Sequence, residues 1–161
     1  MRRKEREITD IDNKMAIIDK CKVCRLGLSD DNQPYIVPLN YGYCLDADVL
    51  TLFFHGAQKG KKVDIIKKNN MACFEVDCDS QFIEGATPCT SAYLYKSVTG
   101  RGKIIIMETA EDKINGLNKI MKHQTGKYPE YRFTEADLKN VMVYKMEVEE
   151  FTGKQKEFTE K

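Results

Sequence analysis

Residues 34–62, PYIVPLNYGYCLDADVLTLFFHGAQKGKK, constrain the fold more than any other part of the chain. Two apolar runs flank Leu45-Asp46-Ala47-Asp48, so they read as strands joined by a tight turn. The second run, residues 49–54, lacks polar–apolar alternation and is expected to be buried on both faces. His55, Gly56, Lys59, Gly60, Lys61 and Lys62 follow at once, and Val63, Ile65 and Ile66 then repeat at helical spacing to about residue 68. A buried strand therefore feeds a glycine-containing, lysine-rich turn at the start of a helix. The first N–H groups of a helix have no internal partner and the dipole there is positive, which is chemistry suited to a phosphate.

The remaining elements are arranged around this hairpin. Thr9 or Asp10 is a helix N-cap for residues 10–20, with Ile11, Met15 and Ile18 on one face. Residues 23–28 form a short strand closed by the turn Ser29-Asp30-Asp31-Asn32, and residues 34–43 form the next. Residues 71–76 are a strand, and the acidic, small-residue stretch 77–88 reads as a loop. Residues 93–107 form a long strand interrupted by Gly100 and Gly102, the mark of a bulge or a barrel corner. Thr109 caps an amphipathic helix to about residue 124, and Thr134 opens a shorter one through a partial capping box. Residues 141–150 alternate as a half-buried strand, and the polar tail from about residue 152 is expected to fray. Six strands at hairpin spacing with helices before, between and after predict a mostly antiparallel β-barrel with flanking helices. A barrel this small has little room inside, so a ligand would lie outside, against the strands and plausibly between two subunits.

A length of 161 residues suits one domain, residues 1–161, with a core that needs no cross-links. The charged start MRRKEREITD has no apolar region of a signal peptide, and no run is long enough to span a bilayer; a cytoplasmic location is expected. A formal net charge of +1 argues against nucleic acid and for a small ligand. The six cysteines are then reduced thiols. Cys21 and Cys24 have metal-ligand spacing but lack a second ligand pair, and Cys24, Cys44 and Cys73 fall in strand patterns where cysteine acts as a small hydrophobe. No metal site is expected. Cys78 and Cys89 fall in the expected loop, with their reactivity open.

The turn from Gly56 to Lys62 is not a nucleotide P-loop. Three residues, rather than four, separate Gly56 from Gly60-Lys61, and Lys62 replaces the hydroxyl that would hold magnesium. A solvated basic first turn would carry the same residues, but lysines there oppose the helix dipole, and an anion nearby offsets that cost. His55 ends an aromatic strand as a wall of the site and the candidate catalytic group, without a carboxylate or thiolate partner in view. His123, near a helix C-terminus, is structural. Pro38-Leu39-Asn40-Tyr41-Gly42 interrupts an apolar strand: either a bulged edge strand, or backbone groups turned toward a flat ligand beside Asn40 and Tyr41.

Taken together, Arg6-Glu7-Ile8-Thr9-Asp10, Cys24-Arg25-Leu26-Gly27-Leu28, residues 34–43, Phe54-His55-Gly56-Ala57 with Gly60-Lys61-Lys62, and Cys73-Phe74-Glu75-Val76 resemble one family. It is the Nim-type (5-nitroimidazole resistance-like) branch of the pyridoxamine 5′-phosphate oxidase-like, FMN-binding split-barrel proteins. The likeness runs from about Arg3 to about Val148. It implies a six-stranded antiparallel split β-barrel and a homodimer with flavin (FMN, with FAD possible) at the subunit interface. By position, Val37, Pro38, Leu39, Asn40 and Tyr41 would line the ring system, with His55 and Gly56 beside it. Lys59, Gly60, Lys61 and Lys62 would approach the phosphate, and Ser97 and Val98 would contact the cofactor, within one subunit or across the dimer. The vitamin-oxidase strand and Ser-Arg-Lys clamp are replaced, and the chain has no tryptophan for the usual C-terminal segment, so oxidation of vitamin B6 is not expected.

The function so implied is an FMN-dependent oxidoreductase that passes electrons to a small acceptor such as a nitroaromatic. Two alternatives use the same residues: a flavin carrier or sensor without turnover, and a haem-binding protein of the same fold with His55 or His123 as axial ligand.

Overall fold

Asp31 and Asn32 (φ 49° and 68°) and Ala47 and Asp48 (φ 45° and 65°) make two tight hairpins with left-handed turn residues. Paired positive φ values give the turn whose twist matches that of the flanking strands. In the computed structural model, which describes residues 3–127 and 131–157, these hairpins join three strands: β2 (Val23–Asp30), β3 (Gln33–Asp46) and β4 (Val49–Gly56). Before them come the two-residue strand β1 (Glu7–Ile8) and helix α1 (Ile11–Lys20), capped by the Asp10 carboxylate on the Asn13 N–H at 2.8 Å. After them follow α2 (Lys61–Lys68), β5 (Met71–Ile83), β6 (Ala92–Met107), α3 (Ala110–Thr125), α4 (Glu135–Asn140) and β7 (Met142–Lys156).

The sheet is antiparallel with strand order β1-β7-β4-β3-β2-β5-β6, and a further β7–β6 pairing closes it. Six strands thus form the ring expected from the sequence, and β1 adds a short seventh against β7 through Glu7↔Lys154 and Ile8↔Gly153. Inside lie Leu26, Leu50, Leu52, Phe54, Phe74, Val76, Val98, Ile104, Tyr144 and Met146, joined by Ile17 and Ile18 of α1 and by Val63, Ile65 and Ile66 of α2. A second apolar cluster lies beneath α3, where Leu117 and Ile120 meet Phe53, Met107, Val143 and Leu138 of α4. Met142, Tyr144, Met146 and Val148 are buried as the alternation over residues 141–150 predicts, but Val143 on the opposite face is buried too, beneath α3. The long β6 carries its irregularity where its two glycines fall, between Arg101 and Gly102.

Three boundaries differ from the sequence expectation. Residues 77–83 belong to β5 instead of a loop: a register shift between Cys78 and Gln81, with Asp79 at φ 57°, absorbs the turn-forming residues while pairing to β6 resumes beyond them. Cys78 is accordingly half-buried on a strand, whereas Cys89 is exposed as expected, and Cys73, expected to be a small core hydrophobe, is exposed on the outer face. The segment from Thr152 to Lys156 does not fray, because β6 pairs with it on one side and β1 with part of it on the other; only residues 158–161 of the expected tail lie outside the described residues. Helix α2 starts at Lys61 and not at Lys59, where the lysine-rich turn suggests it, with Gly60 as its N-cap. No helix among the described residues is long and apolar enough to cross a membrane.

Helix α3 approaches β3 at Gly42, where an added Cβ would stand 2.3 Å from the Lys119 carbonyl carbon. Backbone cannot yield as a side chain can. Gly42→Ala should therefore destabilise the protein by about 2–3 kcal/mol, read as a lower midpoint in chemical denaturation; an unchanged midpoint would contradict the contact.

Candidate functional site

Strand β3 changes partners part-way along its length. Residues 33–40 pair with β2, from Gln33↔Asp30 to Asn40↔Val23, while Tyr41 to Asp46 pair with β4. Since β4 ends at Gly56 and the chain then turns into α2, the other edge of residues 33–40 has no strand partner among the described residues. This is the split in the barrel. Unpaired N–H and C=O groups along such an edge are open to a ligand. Pro38 contributes a carbonyl and no N–H, which an edge position permits. Val37 and Leu39 turn partly into the core, whereas Ile36, Pro38 and Asn40 are exposed.

The polar side chains here are already committed. Asn40 Nδ2 donates to Lys22 O and to Gln124 Oε1, each at 3.3 Å. Tyr41 is fully buried and its hydroxyl donates to Ile18 O at 2.6 Å. Its side chain lies in the core, because the inward phase of β3 falls on the odd-numbered residues, so only its backbone faces outward. His123, also buried, has Nδ1 2.8 Å from Tyr41 O and Nε2 3.0 Å from Asp19 O. Both ring nitrogens face carbonyl oxygens, so His123 is structural, as expected, and not placed to serve as an axial ligand.

At the adjoining turn, Gly60 adopts φ 131°, a value open to glycine but not to side-chain-bearing residues. Among the described residues no side chain caps α2; Gly60 O accepts from the Val63 and Asp64 N–H groups at 2.8 and 3.2 Å. Gln58 is tied to the Lys139 carbonyl of α4, which fixes the turn. The three lysines have different roles. Lys59 is exposed. Lys61 lies 5.2 Å from the Tyr35 ring centroid and 4.0 Å from Asp30 Oδ2, while Lys68 lies 3.6 Å from Asp30 Oδ1. Lys62 is the inward one: its Nζ lies 5.6 Å from the Tyr144 ring centroid and 2.7 Å from where a Gly56 Cβ would stand. Burial holds the Lys62 ammonium below its ordinary pKa. His55 is lowered too, first by burial and then by the Lys62 charge, which favours the neutral imidazole.

Tyr144 completes the cradle and was not apparent from the sequence. It stacks on Phe54 at 5.5 Å, and its hydroxyl is buried with no hydrogen-bond partner among the described residues. Its phase on β7 predicts an inward side chain, but its position opposite Phe54 needs the register. An uncapped helix start, a desolvated lysine over a glycine, and an orphaned hydroxyl together fit an anionic group such as a phosphate.

Ser97 and Val98 do not join this group. They lie on β6, three strands round from β3, roughly 14 Å at about 4.8 Å per strand, and Val98 is fully buried inside the barrel. In contrast, the outer face of β2, β5 and β6 carries an apolar groove of about 520 Å³ lined by Gly27, Ile36, Cys73, Thr99 and Gly100. Ile36 is 69% exposed there.

Comparison with known families agrees with this architecture. The family model described as pyridoxamine 5′-phosphate oxidase matches residues 10–155. The chain belongs to the pyridoxamine 5′-phosphate oxidase family. Among solved structures, a proposed 5-nitroimidazole antibiotic resistance protein from Bacteroides thetaiotaomicron is 29% identical with a TM-score of 0.80, covering 92% of this chain and 86% of its own. The FAD and haem binding protein of Mycobacterium smegmatis shares the fold at 15% identity and a TM-score of 0.83, over 97% of this chain and 76% of that one. A FAD-binding protein from Mesorhizobium loti shares it at 21% identity and a TM-score of 0.65, over 94% and 98%. No curated protein matches the sequence.

In this member of the pyridoxamine 5′-phosphate oxidase family, Lys62 carries its charge at a cost to the ligand-free fold. Its folded pKa lies below its unfolded one, so the charged form is disfavoured by folding, and stability rises as pH climbs through the folded value toward the unfolded value of about 10.4. Lys62→Met should stabilise the ligand-free protein at neutral pH, by less than about 1 kcal/mol at this half-exposed site. The advantage should shrink as the pH approaches 10. Denaturation curves at neutral and alkaline pH check this; a variant less stable at both would contradict it.

Proposed function

We propose that this chain binds FMN at the split of the barrel and works as an oxidoreductase on a small acceptor, with a nitroaromatic as the model substrate. The observation that carries the reading is the juxtaposition of the uncapped α2 start and the inward Lys62 with the unpaired edge of β3. The phosphate is held by the Lys61 and Lys62 N–H groups and the Lys62 ammonium, with the Tyr144 hydroxyl as a further donor below. The backbone of Val37, Pro38, Leu39 and Asn40 meets the flat ring system, and His55, favoured as the neutral imidazole, forms a hydrogen-bonding wall. The flavin supplies hydride and electron chemistry, while the protein binds, orients and shields it. The likeness to the Bacteroides protein supports the nitroaromatic acceptor, and those to the FAD-binding proteins support a flavin.

A homodimer belongs to the same proposal. The apolar groove around Ile36 is the surface for the second copy, and the separation of Ser97 on β6 from β3 within one chain is explained if Ser97 serves the partner's flavin. Ile36→Asp would place a charge at the centre of that surface and should convert dimer to monomer in light scattering coupled to size exclusion. A dimer that persists unchanged would place the interface elsewhere.

The phosphate role is tested by binding of FMN against riboflavin. Lys62→Ala should weaken FMN by roughly 1.5–3 kcal/mol, the range for a charged hydrogen bond, and riboflavin by much less. Equal losses for both would contradict it. Turnover separates enzyme from carrier: bound flavin should be reduced by a nicotinamide nucleotide faster than free flavin and reoxidised by the nitroaromatic. Reduction only at the free-flavin rate would overturn the oxidoreductase reading and leave a flavin carrier.

A further inference from the structure

A pair of thiols lies away from this site. Cys21 is the C-cap residue of α1, and Cys78 stands on β5 at the edge of the strand irregularity. Cys21 Sγ lies 3.3 Å from the carbonyl oxygen of Asp77, the residue before Cys78, which brings the two cysteine side chains close together. The contact follows from the register: Phe74, Val76 and Cys78 share the inward face of β5, and α1 packs across it. The Cys21-x-x-Cys24 spacing is misleading here, because Cys24 is fully buried inside the barrel while Cys21 turns to β5.

The two sulfurs have unequal surroundings. Cys78 lines a small cavity of about 120 Å³ with Asn13, Ala16, Ile17, Lys20, Asp79, Lys96 and Gln155, so it can be reached from outside. Lys20 and Lys96 face it with positive charge and Asp79 with negative, and Lys20 is paired to Asp79. Burial and then the Asp79 charge push the Cys78 thiol up, with Cys21 and the two lysines acting the other way. Cys21 is 6% exposed, and burial pushes its thiol up to about 12. A reachable sulfur with a second, enclosed sulfur packed close to it is the arrangement of an attacking and a resolving thiol.

We propose that Cys21 and Cys78 form a redox-active dithiol that closes to an intramolecular disulfide on reaction with a low-molecular-weight disulfide of the glutathione type. The Cys78 thiolate attacks one sulfur of that disulfide; the Cys78 mixed disulfide forms and one small thiolate leaves. The Cys21 thiol, deprotonated as it reacts, attacks the Cys78 sulfur and displaces the second small thiolate. Two protein thiols are thus oxidised by two electrons and the small disulfide is reduced to two thiols, so the exchange balances. The new bond ties the C-terminus of α1 to β5 and constrains the unfolded chain.

The test is exposure of the folded protein to oxidised glutathione in mildly alkaline buffer, followed by thiol counting in denaturant and peptide mass mapping. The expected product retains four of the six thiols, is lighter by two hydrogens and contains a Cys21–Cys78 linked peptide. Its Tm should rise by on the order of 10 °C and return on reduction. Cys21→Ser should stop at a glutathione adduct on Cys78, and the half-exposed Cys78→Ser should yield neither adduct nor link at these positions. Retention of all six thiols, a persistent wild-type adduct on Cys78, or links confined to Cys73 or Cys89 would overturn the proposal.

Discussion

The change of partner along β3 is the constraint on which the rest of the site depends. A 14-residue strand leaves β2 and joins β4 at Asn40 and Tyr41, and this opens a stretch of backbone at the barrel edge. Holding such a crossing in place requires packing on both faces. On the inner side the Tyr41 ring fills the core and its hydroxyl donates to Ile18 O of α1. On the outer side Gly42 lets α3 rest directly on the strand, and His123 and Gln124 bind the Tyr41 carbonyl. Two helices distant in sequence therefore fix one peptide, and the free edge next to it is rigid. A pre-formed edge lowers the ordering cost when a flat ligand binds.

The second consequence concerns charge. The free edge of β3 opens where β4 ends, and β4 leads directly into the turn that starts α2, so the edge and the helix dipole meet. Lys62 reaches inward across Gly56 and lies against an aromatic ring, with its ammonium partly removed from water. Such a charge is costly without an anion, and an uncapped helix start shares that need. The two costs have a common remedy, and a phosphate meets both. The lysines beside it are engaged differently: Asp30 attracts Lys61 and Lys68, which leaves Lys62 as the group directed into the cradle.

Much of this was legible in the sequence for local reasons. The caps Asp10, Thr109 and Thr134, the turns at Asp31-Asn32 and Ala47-Asp48, and the glycine irregularity in β6 are signals set by nearby residues, and each appears where expected. The lysine turn was visible because dipole and charge act over one helical turn. What the sequence concealed depends on pairing between distant strands. Residues 77–83 and 152–156 are polar, and only their backbone bonds to β6 and β1 make them strands. Tyr144 joins the cradle through its register with Phe54. Cys21 meets Cys78 only because α1 folds across β5. The phase of Tyr41 was likewise ambiguous, since the strand could present either face until its partner was known.

The most direct measurement of the central claim is an amide-resolved NMR titration of the protein with FMN. The predicted result is that the amides of Lys61 and Lys62 and those of Val37, Leu39 and Asn40 shift together and saturate at one equivalent per chain, while amides around Cys21 and Cys78 stay in place. Shifts that avoid the start of α2, or no saturable shifts at all, would contradict a phosphate cradle at the split of the barrel.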